Sequence, residues 1–130
     1  MSDNSAYWLG LSDYDIETAK AMRKTGRYLY VGFMCHQVIE KALKAAIAKN
    51  CAEGAISPKI HHLLKLADRA GLFEKMSSEQ QAFIKELNSL NIEARYPEYK
   101  EQIAEELSAE ICDTLIVETE ELQCWIKAQL

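Results

Sequence analysis

The sequence is short of everything that interrupts a helix. Its 130 residues include only 5 Gly and 2 Pro. A β-sandwich or barrel needs a turn signal every few residues, and so few breakers cannot supply them. No apolar run reaches the roughly 18 residues that a membrane-spanning helix requires, and MSDNSAYWLG has no basic segment leading into an apolar one, so neither an anchor nor a secretory signal is expected. Four cysteines (Cys35, Cys51, Cys112, Cys124) form no CxxC pair, which leaves no zinc spacing and makes cytoplasmic, reduced thiols the expectation. GxGxxG, the Walker-type glycine loop, HExxH and GxSxG are all missing. Neither a cofactor nor a metal is expected.

What is present is 48% hydrophobic and 27% charged, enough for one helical domain over residues 1–130 with a single core. The net charge of −5 is uneven: residues 1–65 hold 9 basic against 6 acidic side chains (+3), and residues 66–130 hold 6 against 14 (−8). An acidic whole disfavours indiscriminate nucleic-acid binding, while a local basic patch can still hold a phosphate.

Periodicity predicts an all-α chain of five helices in an antiparallel bundle. The first spans about Ser5 to Lys24, with Trp8, Leu11, Ala19 and Met22 on one face and Gly26 as its stop. The second, about Arg27 to Asn50, is apolar around most of its circumference and belongs at the centre of a bundle or at a subunit interface. Gly32 in its interior points to a close neighbour. Pro58 is expected to open the third helix, whose stripe Ile60, Leu63, Leu64 and Ala67 ends at Gly71. Ser77 and Ser78, followed by Gln80 and Gln81, cap the fourth, which continues through Phe83, Ile84 and Leu87 toward Ala94. A bend falls at Arg95-Tyr96-Pro97, because proline disfavours helical geometry in the residue before it. A short turn is expected over 99–106. The last helix starts near Ser108 and turns Ile111, Leu115, Leu122, Trp125 and Ile126 inward.

Polar residues interrupt these apolar faces. Asp15 lies inside the first helix's buried arc, and His36 and Glu40 stand one turn apart in the second helix's stripe. Buried charges are costly unless paired. Lys44 has the favourable Glu-to-Lys spacing from Glu40, and Arg95 can hold a carboxylate with two parallel bonds. Such a set is either a structural network that fixes helix packing or a polar cleft in which Arg95 and Lys44 hold a phosphate. His61 and His62 flank or cap the third helix, and adjacent histidines point to different sides, which disfavours a shared metal. A hydrolase built on Cys and His has no local pattern to support it. Tyr28, Tyr30, Tyr96 and Tyr99 lie near basic residues, as base-stacking aromatics do and as ordinary core-rim tyrosines do.

The ordered segments carry a resemblance. Asp15 and Ala19, Gly26-Arg27-Tyr28, the run from His36 through Glu40-Lys41-Ala42-Leu43-Lys44-Ala45, His61-His62-Leu63-Leu64, Ala94-Arg95-Tyr96-Pro97 and a final amphipathic helix with Trp125-Ile126 follow one another over about Ala6 to Leu130. The whole resembles a HEPN domain (higher eukaryotes and prokaryotes nucleotide-binding). That resemblance implies an antiparallel up-and-down bundle of four to five helices, commonly a homodimer, often in complex with a small nucleotidyltransferase, and in many members a toxin that cuts RNA. The RNA-cutting members use an Arg followed about four to six residues later by a His, which supplies the proton transfer that cleavage through the 2′-hydroxyl needs. The matching Arg is Arg95, but Lys100, Glu101 and Gln102 stand where the His should be, and no His follows. The chain is therefore similar to a branch without ribonuclease chemistry, with Asp15, His36, Glu40, Lys44, His61, Arg95 and Tyr96 at the positions implied for binding a nucleotide. A ribonuclease toxin and a purely structural dimeric adaptor are the alternatives.

Overall fold

The computed structural model describes residues 4–50, 61–95 and 106–130, with the backbone alone for 91–95. Among these residues there are five α-helices, a short 3-10 turn over Phe73–Lys75 and no strand. The helices are α1 (Ser5–Lys24), α2 (Tyr28–Asn50), α3 (Leu63–Arg69), α4 (Ser78–Arg95) and α5 (Ala109–Ala128).

α2 is the axis of the molecule. Its apolar circumference is explained by neighbours on every side: α1, α3, α4 and α5 all pack on it. Val31, Cys35, Val38, Ile39, Ala42, Leu43, Ala46 and Ile47 are buried along its length. Cross-helix contacts fix the directions. Ser12 reaches Val38 and Trp8 reaches Lys44, so α1 runs antiparallel to α2. Arg23 pairs with Asp113 and Asp13 with Lys127, so α1 is also antiparallel to α5. The up-and-down bundle expected from the sequence is the fold.

Local signals act where expected. Gly26 and Gly71 take positive φ (75° and 72°) just past α1 and α3, where a Cβ would be strained. Ser77 Oγ accepts from Gln80 N at 3.1 Å and Gln80 Oε1 accepts from Ser77 N at 2.9 Å, a reciprocal capping box. Ser77→Ala should lower stability by about 1 kcal/mol, seen as a lower urea midpoint with an unchanged slope. Ser108 Oγ likewise accepts from Ile111 N at 3.2 Å and starts α5. The close neighbour expected at Gly32 is Leu90, whose Cδ1 lies 3.2 Å from where a Cβ would stand.

Three expectations need correction. α3 begins at Leu63 with His62 as its N-cap residue, so Pro58, which lies outside the described residues, does not open it. Ile111 is 49% exposed, because α5 turns Cys112, Leu115, Ile116, Thr119, Leu122 and Ile126 inward instead. The buried line of α1 is Ser5, Ser12, Ile16 and Ala19, with Trp8, Leu11, Asp15 and Met22 only half-buried beside it. The bend at Tyr96-Pro97 and, but for Glu106, the turn over 99–106 fall outside the described residues.

Candidate functional site

Residues 36, 40 and 44 recur every fourth position, which stacks them on one face of α2. That face is covered, and His36, Glu40 and Lys44 are all 1% exposed or less. Glu40 is the hub. Its Oε2 accepts from Lys44 Nζ at 3.0 Å, and both its oxygens lie within hydrogen-bond reach of His61 Nδ1, at 3.1 and 3.2 Å. His36 Nδ1 approaches Oε1 at 3.7 Å. The Lys44 ammonium also sits 5.2 Å from the Trp8 ring centroid on α1, a cation–π contact.

The burial of a carboxylate and an ammonium is tolerated because each meets the other and further polar or aromatic groups. His61 differs from the rest, since its side chain is 39% exposed. The contact of Nδ1 with both Glu40 oxygens holds the ring in one orientation. The hub can therefore orient an imidazole at the surface. The two buried cysteines give it no thiolate to pair with that imidazole. Burial pushes the Cys35 thiol up to about 12 and raises Cys112 as well, so both remain protonated near neutral pH.

The other candidates are placed apart. Asp15 finds its partner in Lys41, at 3.2 Å, and Lys41 also donates to Gln37 Oε1 at 2.8 Å. This is a separate ion pair on the α1–α2 seam. Arg95 ends α4. α4 lies beside α5 with residues 77–83 near 118–122 and 83–86 near 110–118, so it runs antiparallel to α5 and to α2. Leu90 packs on Gly32, eight residues before Glu40, and Arg95 is five residues beyond Leu90. About 20 Å of helix rise thus separates Arg95 from the Glu40 hub. The Arg95 side chain and Tyr96 lie outside the described residues. His62 is exposed, and no group of His, Cys, Asp and Glu among the described residues could hold a metal ion.

One buried polar pair escaped the sequence reading. Ser12 Oγ donates to the Val38 carbonyl at 2.7 Å, and Gln123 Nε2 donates to Ser12 Oγ at 2.9 Å and to Asp13 Oδ1 at 3.1 Å. Ser12 lies midway between Trp8 and Ile16 on α1, and that position in the stripe was its only signal.

An antiparallel bundle wrapped around one central helix, with a buried Glu–Lys–His hub, defines the class of structure. The solved structure described as TT1696 from Thermus thermophilus shares this fold, with a TM-score of 0.79, 19% sequence identity and coverage of 99% of this chain and 100% of that one. The HEPN domain model matches residues 5–129, and the chain belongs to that family. No curated protein matches the sequence. Membership places the chain among proteins of nucleotide- and RNA-related function. Among the described residues, no helix is long and apolar enough to cross a membrane.

Proposed function

We propose that this chain is a non-catalytic, cytoplasmic HEPN module of one domain, which binds a nucleotide and/or a nucleotidyltransferase partner as a homodimer. The observation that carries the non-catalytic half is the placement of its histidines. His36 and His61 are both engaged at Glu40, about 20 Å along the bundle from Arg95. No His follows Arg95 in the sequence. Cleavage of RNA at Arg95 would need an acid–base pair there that works near neutral pH, and lysine does not titrate in that range.

Exposure also divides the candidates for ligand contact. His36, Glu40 and Lys44 are sealed and act through the packing of α2, whereas His61 has a solvent-facing side. Direct contact with a phosphate is proposed for Arg95 on the family resemblance, with His61 as the accessible group of the hub.

Calorimetric titration with ATP and GTP is the test. Binding should release heat and, at about a hundred times Kd, raise stability by about 2.7 kcal/mol, and Arg95→Ala should abolish both effects. No heat and no melting shift would remove the nucleotide half. Co-expression with a neighbouring nucleotidyltransferase gene should give a complex that survives purification, and separate elution would remove the partner half. RNA cut by the wild type and not by Arg95→Ala would establish the ribonuclease reading instead.

The burial of the Glu40–Lys44 pair favours a second reading, that of a structural adaptor. On that reading Glu40→Gln lowers the melting temperature and leaves every ligand response unchanged. A larger effect on binding than on melting would overturn it.

A further inference from the structure

The acidic half of the sequence acquires a location in the structure. α4 and α5 both pack on α2 but scarcely on each other, which leaves a groove between them. Two connected cavities of about 330 and 510 Å³ share Phe83 and Glu118 and form this groove. Phe83, Leu115 and Leu122, each less than a tenth exposed, line its floor between polar side chains, and Ile111 is half exposed at one end. The α5 side runs from Glu110 to Leu122, about 18 Å of helix rise, the length of three turns.

The rim carries Glu79, Glu86, Glu110, Glu118 and Glu121. Glu79 and Glu110 stand in the first turns of α4 and α5, where a carboxylate is favoured by the helix dipole. Glu86, Glu118 and Glu121 have no such reason to be there. None of the five forms an ion pair among the described residues. On the opposite side of α5 the acids are neutralised: Asp113 by Arg23 at 2.7 Å and Glu120 by Lys20 at 3.0 Å. Partial burial, Glu86 and Glu121 together raise the Glu118 carboxyl above its ordinary range. The bundle therefore pairs its charges on one seam and leaves like charges crowded over an apolar floor on the other.

We propose that the groove between α4 and α5 docks a lysine- or arginine-rich amphipathic helix of a partner protein. The length suits three helical turns, the floor takes the apolar stripe of such a helix and the rim takes its cations. A second copy of this chain would set glutamates against glutamates, and nucleic acid would be repelled. The inference rests on the protein-partner half of the reading above, and it names the face and the chemistry of that contact.

The probe is a synthetic amphipathic Leu/Lys helix of about 14 residues, followed by fluorescence anisotropy at about 150 mM salt. Wild type should bind it, and should bind a scrambled peptide of equal charge more weakly. Glu118→Lys with Glu121→Lys should weaken binding by about tenfold or more and should not lower the melting temperature. Asp68→Lys with Glu74→Lys makes the same change in net charge at exposed sites outside the groove and should stay within about twofold. Ile111→Asn, at an exposed position, should also weaken binding and tests the floor without changing charge. Equal losses in the two charge-reversed proteins, equal binding of the scrambled peptide or no binding at all would overturn the proposal. So would a shift in oligomeric state on reversing Glu118 and Glu121, which would assign the groove to a second copy. A nucleotidyltransferase that fails to co-purify while the peptide binds would remove that partner and leave the groove. Co-purification that survives the groove variants would remove the groove alone.

Discussion

Glu40→Ala should destabilise the bundle by about 3–5 kcal/mol, the range for removing one partner of a buried ion pair. For a chain of this size that is a fall in melting temperature of about 12–20 °C. The size of the effect comes from what remains. Lys44 is 1% exposed, and without the carboxylate its ammonium loses an acceptor at 3.0 Å while staying buried against the Trp8 ring. His61 would lose both of its oxygens, and α3 its polar tie to α2. Glu40→Met combined with Lys44→Met removes both charges while filling the same space, and should recover most of the loss. Thermal denaturation of the single and double variants checks this. A Glu40→Ala protein that melts within about 3 °C of wild type would mean that Lys44 finds water on a side the structure shows closed.

The second large effect is expected at Gly32. Its would-be Cβ meets Leu90 Cδ1 at 3.2 Å and Leu107 Cδ1 at 3.4 Å, both ends of flexible side chains. For Gly32→Ala, the gain of about 1 kcal/mol in helix propensity should roughly cancel the small displacement of those methyl groups. Gly32→Leu is a different matter. Its branch must enter space that Leu90 and Leu107 already fill, and overpacking of this kind costs about 1–3 kcal/mol or more. Denaturant unfolding should show Gly32→Ala near wild type and Gly32→Leu well below it. Leu90→Ala placed with Gly32→Leu should restore part of the loss, because the two changes couple through one contact. If the two single variants were equally stable, the approach of α4 to α2 would not be tight.

These two sites also show how far the sequence could be read. The Glu40–Lys44 pair was visible because both residues lie on one helix, where a spacing of four guarantees contact. Gly32 was visible because glycine inside an apolar helix has a cost that packing must offset. The capping box at Ser77 and Gln80 was visible because caps are local. The partners of Asp15 and Ser12 were not, since Lys41 is 26 residues from Asp15 and Gln123 is 111 residues from Ser12. Helical periodicity defines a face only to within a residue or so, which is why Ile111 was expected inside and Ser12 was passed over. It says nothing of how far along a bundle two helices are level. Arg95 and the Glu40 hub therefore read as one polar set in the sequence, although about 20 Å of rise lies between them in the fold.

The unequal treatment of acids on the two sides of α5 has a consequence at longer range. With Asp113, Glu120 and Asp13 neutralised on one seam and the groove carboxylates unpaired on the other, the two sides of α5 differ in charge among the described residues, and the groove side carries a layer of negative charge. Such a layer is felt over about 8 Å at physiological salt, and it turns an approaching cationic body toward the groove before any atoms touch. Encounter would then be oriented by the field, and its rate, more than the lifetime of the contact, would respond to ionic strength.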